Sequence, residues 1–102
     1  MDKVVYLPNQ IQHLCQLRYL EIEAFNSLKE LPEWLGNLTS LETLVLRWLP
    51  LVEYLPSEST MKGLSQLMKL HIHDCFQLKQ ACSPDGSEWI KIQHIRHVGE
   101  FA

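Results

Sequence analysis

The sequence predicts an α/β solenoid: short parallel strands along a concave inner side, tight turns or short helices along a convex outer side, and a cap at the C-terminal end. Three observations predict it. The first is a 24-residue lattice of apolar positions. Leu7, Ile11, Leu14, Leu17, Leu20, Ile22, Phe25 and Leu28 return as Leu31, Leu35, Leu38, Leu41, Leu44, Leu46, Leu49 and Val52. A third copy begins at Leu55, takes up two extra residues, and resumes as Met61, Leu64, Leu67, Leu70, Ile72, Cys75 and Leu78. The second is a change of period inside each unit, from apolar residues at steps of three to strict apolar/polar alternation. The third is the proline that opens each unit in Leu7-Pro8, Leu31-Pro32 and Leu55-Pro56; it holds φ and has no donor for a strand ladder. One such unit cannot bury its own apolar edge, so neighbours must stack.

The elements follow in order. Residues 1–6 end a preceding unit, full units occupy residues 7–30, 31–54 and 55–80, and residues 81–102 form the capping segment, so that repeats fill residues 1–80. Alternation predicts strands from Arg18 to Glu23, Glu42 to Arg47 and Met68 to His73. Their inward residues are Leu20 and Ile22, Leu44 and Leu46, and Leu70 and Ile72. Between each Leu-Pro and the next strand, x-x-(I/L/M)-x-x-L-x-x-L suits a short 3-10 or helical segment on the convex side. Gly36-Asn37 and Lys62-Gly63 mark the bends. The insertion in the third unit, Ser57 to Thr60, is expected to bulge outward and leave the strands undisturbed.

L-x-x-L-x-L-x-x-(N/C)-x-L is the leucine-rich-repeat signature, and all its spacings hold here together. Its asparagine position carries Phe25, Leu49 and Cys75, so apolar packing is expected to fill the spine where an asparagine ladder would stand.

At 102 residues there is room for one domain. With 46% hydrophobic and 21% charged residues the composition is that of a folded globular chain. A net charge of −3 disfavours a phosphate-backbone partner, so no nucleic acid is expected. The opening Met1-Asp2-Lys3-Val4-Val5-Tyr6-Leu7-Pro8 has neither the apolar core nor the small-residue cleavage site of a secretory signal. No apolar run nears the roughly 18 residues of a membrane span, so no membrane partner is expected. Three cysteines, Cys15, Cys75 and Cys82, show no pairing pattern and fit reduced thiols in a cytoplasmic or nucleocytoplasmic setting.

The outward strand residues align in columns: Arg18, Glu42, Met68; Tyr19, Thr43, Lys69; Glu21, Val45, His71; Glu23, Arg47, His73; and Ala24, Trp48, Asp74. Strands about 4.8 Å apart let Arg18 meet Glu42 and Glu23 meet Arg47. The plain reading is a set of solvated cross-strand pairs, each below about 1 kcal/mol. The functional reading is a protein-binding concave face of Arg18, Tyr19, Glu21, Glu23, Glu42, Thr43, Val45, Arg47, Trp48, Lys69, His71 and His73, with Tyr19 and Trp48 as aromatic anchors.

Other constellations are weaker. In His71-x-His73-x-Cys75 the two histidines share a face while Cys75 falls on the buried spine, so the three do not converge on a metal. Cys82 has no identifiable base or oxyanion donor beside it. No catalytic, cofactor-binding or metal residue is therefore assigned. Asn37-Leu38-Thr39 has the form of a glycosylation acceptor but reads as a turn asparagine. Trp89, Ile92 and Ile95 are expected to cover the edge of the last unit, with Lys91 and Arg96 facing water and His94 and His97 within the cap.

L-P-E-W-L-G-N-L-T-S-L-E-T-L, Leu31 to Leu44, resembles the C-terminal repeats of plant intracellular nucleotide-binding leucine-rich-repeat disease-resistance receptors. The tail is similar to that family's closing pattern L-x-x-x-C…G-E-x-W-x-K-I-x-H-I. It reads Leu78-Lys-Gln-Ala-Cys82, then Asp85-Gly86-Ser-Glu88-Trp89-Ile-Lys91-Ile92-Gln-His94-Ile95. The likeness covers residues 4 to 98 or so. It implies a receptor arm that restrains its parent protein and helps recognise a pathogen effector or a guarded host protein. The implied partners are thus an effector, a host protein, or the parent nucleotide-binding domain. The chain has no G-x-x-x-x-G-K-(S/T) and only part of the repeat array, which fits a fragment or a truncated relative. The other reading is a repeat adaptor in another process, such as substrate recognition for a ubiquitin ligase.

Overall fold

The computed structural model describes residues 16–23 and 28–99. The first unit's convex segment (Leu7, Ile11, Leu14), Cys15, Ala24 and Phe25 lie outside them. Four parallel strands form one sheet in sequence order: β1 (Tyr19–Glu23), β2 (Thr43–Arg47), β3 (Lys69–His73) and β4 (His97–Gly99). The first three begin one residue later than the alternation predicts. The Arg18 carbonyl accepts from both Glu42 N–H (2.8 Å) and Thr43 N–H (3.0 Å), and the Glu42 carbonyl from both Met68 N–H (2.9 Å) and Lys69 N–H (3.1 Å). The chain is still bending there, and the regular ladder starts after it.

Inside the sheet the lattice residues form one core. Leu44, Leu46, Leu70 and Ile72 on the strands meet Leu35, Leu38, Leu41, Met61, Leu64 and Leu67 from the convex side. Burying each such side chain is worth about 1.5–3 kcal/mol, which is why the pattern dominates the fold. The steps of three have a direct backbone counterpart. Leu38 N–H donates to Leu35 O and Leu41 N–H to Leu38 O, and Leu64 repeats this to Met61 and Leu67 to Leu64. Each apolar residue thus closes a tight turn and drops the next one into the core. At the sheet edge Leu17 and Leu20 are only half-buried, whereas their counterparts Leu41 and Leu44 are enclosed.

After β2 and β3 the chain turns through a left-handed residue at one shared column, Trp48 (φ 56°) and Asp74 (φ 54°). Aspartate tolerates this conformation; a tryptophan pays roughly 1–2 kcal/mol for it. Trp48→Gly should therefore be more stable than Trp48→Ala by about 1 kcal/mol, since both delete the indole and only alanine keeps a Cβ at positive φ. Denaturant melts of the pair measure it, and equal midpoints would mean that the turn relaxes.

The two-residue insertion does not bulge. It lengthens the five-residue 3-10 helix of the second unit (Glu33–Asn37) into a six-residue α-helix in the third, α1 (Glu58–Gly63). Two more residues complete an α-helical turn, and α1 packs back on the 3-10 helix. Ser57 caps it, accepting from Thr60 N–H at 3.3 Å. Glu33 accepts from Ser57 N–H (3.0 Å), Ser57 Oγ (2.9 Å) and Thr60 Oγ1. The approach is close enough that a Cβ on Gly36 would meet Thr60 Cγ2 at 3.2 Å.

Hydrogen bonds from Thr60 and then Ser57 hold the Glu33 carboxyl below its ordinary value of 4.5. A depressed folded value stabilises above the unfolded value and is lost as pH falls through the folded one. Glu33→Gln should therefore flatten the fall of stability below pH 4.5. Melts across the acid range test this; an unchanged slope would remove Glu33 as a contributor.

The tail holds more than a cover. α2 (Phe76–Ala81) leads through a bend to α3 (Trp89–Ile92) and then β4. Trp89, Ile92, Ile95 and Val98 repeat the steps of Met61, Leu64, Leu67 and Leu70, and Val98 lies opposite Leu70 in the sheet. Ile95 N–H donates to Ile92 O as Leu67 does to Leu64. Ile92 and Ile95 are buried, while Trp89 is half-buried against the core. Lys91 does not face water: its Nζ lies 2.7 Å from Glu88 Oε1 and 3.3 Å from the Leu55 carbonyl. Glu88, only 4% exposed, also accepts from Leu55 N–H at 2.9 Å. An ion pair from the tail thus satisfies both backbone groups of Leu55, the residue that opens the third unit.

Candidate protein-binding face

The concave side of the sheet carries the outward columns in the predicted register. Tyr19, Thr43, Lys69 and His97 form one row; Glu21, Val45, His71 and Gly99 the next; Glu23, Arg47 and His73 the third. Inward Leu20, Leu44, Leu70 and Val98 lie between the first two rows, so a slip of one residue would turn the leucines out to solvent.

Polar contacts on this face run along one strand and across one diagonal. Arg47 Nε donates to Glu21 Oε2 at 3.2 Å, and Tyr19 Oη donates to Glu21 Oε1 at 2.9 Å. Arg47 was expected to meet Glu23, directly opposite; instead it takes Glu21, which leaves Glu23 against Glu21. A side-chain hydrogen bond with Glu23, in which Glu23 keeps the shared proton, and then one from Tyr19 hold the Glu21 carboxyl below its ordinary value, and Glu23 itself is pushed up. Arg18 and Glu42 meet through the backbone, as above, and not as an ion pair. Val45, expected among the contacts, is only 5% exposed. A short β-branched side chain on the middle strand, flanked by Glu21, Arg47 and His71, becomes the floor of the face.

Tyr19 and Trp48 are exposed at 54% and 44%. Trp48 stands edge-on to Phe76, ring centroids 6.0 Å apart, at the rim beyond the strand ends. His71 and His73 lie side by side with ring centroids 6.1 Å apart. At the β3–β4 end Lys69, His71, Arg96 and His97 line an open hollow of about 490 Å³ over Val98 and Gly99. The Arg96 and His97 contributions were missed by sequence reasoning, which left both in a cap. The three-residue steps from Trp89 to Val98 were the signal that a further strand follows.

A family model described as a leucine-rich repeat region matches residues 3–91. The chain belongs to the leucine-rich-repeat family. No curated protein and no solved structure matches it.

Within the leucine-rich-repeat frame, the position that often holds asparagine can be examined in two units. Leu49 and Cys75 are both buried there, so apolar packing does fill the spine. Cys75 keeps part of the polar role, with Sγ 3.2 Å from His73 O and 3.6 Å from Leu46 O of the neighbouring strand. The thiol is thus engaged with backbone oxygens. Among the described residues no group of three His, Cys, Asp or Glu side chains could hold a metal ion. Burial, with Glu88 nearby, pushes the Cys82 thiol up to about 12, so it stays protonated near neutral pH and is no nucleophile. Leucine-rich-repeat regions are in general protein-interaction modules and not catalysts. Among the described residues no helix is long and apolar enough to cross a membrane.

Proposed function

We propose that this leucine-rich repeat is the C-terminal part of the recognition arm of a plant intracellular disease-resistance receptor, acting by protein binding in the cytoplasm. The observation that carries the reading is the closing segment. Trp89, Lys91, Ile92 and Ile95 carry the resemblance, with Glu88 one place beyond the pattern's glutamate; Lys91 and Glu88 bind Leu55 of the third unit, and the three apolar residues pack on the core. A motif with so many coupled roles is not easily met by chance in an unrelated repeat. Sequencing the coding region upstream of Met1 tests the origin: a P-loop nucleotide-binding segment supports it, and an F-box segment overturns it.

The partner, an effector, a guarded host protein or the parent nucleotide-binding domain, docks on the concave face. Arg47 and Trp48 lie on and just beyond the middle strand, where neighbours on both sides would exclude water once a partner is bound and raise the value of an anchor. Their joint replacement by alanine should weaken a partner by more than about 1 kcal/mol with circular dichroism unchanged. Lys62→Ala, on α1 at the convex side, should do little; Gln66, which lines a hollow with Arg18 and Glu42, does not serve as a control. Glu33 does not serve as a neutral control, because it holds Ser57 and Thr60. Loss of binding on the outer substitution alone would move the site off the concave face.

A further inference from the structure

The concave face is not uniform in charge. Its β1 end carries Glu21 and Glu23, whereas its β3–β4 end gathers Lys69, His71, Arg96 and His97 around one hollow that no carboxylate of the described residues lines. Among the described residues Arg47, Lys62 and Lys91 each have a glutamate partner, while Arg18, Lys29 and Lys79 have no ion pair and stand apart from the hollow. Lys69 and Arg96 have no ion-pair partner among the described residues. In a chain of net charge −3 this hollow brings Lys69 and Arg96 together with no acid of the described residues lining it.

We propose that this hollow is a subsite for an acidic segment of a protein partner: an extended peptide presenting alternate Asp or Glu side chains. The proposal deepens the concave-face reading and rests on it. Lys69 and His71 stand two residues apart on β3, with His97 beside Lys69 on β4. Alternate side chains of an extended strand recur about every 6.8 Å, so carboxylates at every second residue of a bound peptide meet this ladder in step. Arg96 closes the rim with a planar donor fork suited to a carboxylate. Glu21 and Glu23, at the opposite end of the same short sheet, repel an anion that continues past the hollow. That limits the ligand to a local acidic cluster and disfavours a continuous phosphate backbone.

The test uses the 102-residue chain and a fluorescein-labelled peptide of alternating glutamate and glycine, followed by anisotropy. The controls are a peptide with glutamine for glutamate and an oligothymidylate. The glutamate peptide should bind at low salt, lose affinity as salt rises, and bind more tightly than either control. Lys69→Glu and Arg96→Glu should each weaken it about fivefold or more, with Lys69→Gln and Arg96→Gln, milder for folding, following in the same direction. Lys79→Glu, on α2 away from the hollow, should leave it unchanged. Equal binding of the glutamine peptide, tighter binding of the oligothymidylate, or an equal loss in Lys79→Glu would each overturn the subsite. For a full partner the two readings separate. Loss in the Arg47 and Trp48 variants with none at Lys69 and Arg96 would sink the subsite alone. Retained peptide binding with an indifferent Arg47 and Trp48 would sink the anchor assignment alone.

Discussion

Gly86→Ala is expected to lower Tm by about 10–20 °C, the largest effect of an added methyl group at any of the four glycines. A Cβ at Gly86 would stand 2.2 Å from the Ala81 carbonyl oxygen, and 2.5 Å from Ala81 C and Gln80 O. All three are backbone atoms at the end of α2, so no side chain can swing aside. Movement of the loop would also break Gly86 N–H to Ser83 O (2.7 Å) and Glu88 N–H to Ala81 O (2.8 Å). The second of these seats Glu88 under Leu55. Overpacking in a closed site costs about 1–3 kcal/mol, and this case belongs at the upper end because the obstacle is main chain. Thermal unfolding followed by circular dichroism decides it. A shift within the error of the wild-type melt would show that the α2–α3 bend is looser than its contacts indicate.

Lys91→Met is expected to destabilise by about 3–5 kcal/mol, because it leaves the Glu88 carboxylate buried without its counter-charge. The Lys91 side chain retains 20% exposure against 5% for Glu88, so water softens the loss from its side. Glu88→Gln should cost less, since an amide oxygen still accepts from Leu55 N–H. The double variant should then fall short of the sum of the two, by the coupling that adjacent members of one network show. Denaturant midpoints for the four proteins give that coupling directly. Strict additivity would mean that Glu88 and Lys91 act separately and that the tail is not locked by the pair.

The strands, the enclosed leucines and the columns of the concave face were legible before any coordinates, because burial period is a local property of the chain. Alternation tells which side of a strand is buried, and a repeat of constant length brings equal positions opposite one another. Leu20, Leu44 and Leu70 needed no more than counting. The insertion at Ser57 to Thr60 kept that order while changing the outer element, since two residues complete a helical turn without altering the phase of the strand that follows. β4 was hidden for the same reason in reverse: the tail repeats the steps of three but shifts their phase, and Trp89 stands where a smaller residue would have marked a unit.

Polar partnership was not legible. Arg47 had two carboxylates within reach, and only side-chain geometry on the folded face selects Glu21 over Glu23. Glu33 reaches Ser57 across 24 residues, and Glu88 reaches Leu55 across 33. Over the described residues the sequence by itself determined the repeating architecture, the lattice positions of the core and the register of the columns. Only the tertiary structure decided how the tail locks onto the third unit, that Val45 is floor and not contact, and that Arg96 and His97 join Lys69 and His71 at one hollow. Apolar burial is non-directional and repeats with the chain, whereas a hydrogen bond or ion pair depends on where two distant turns come to rest.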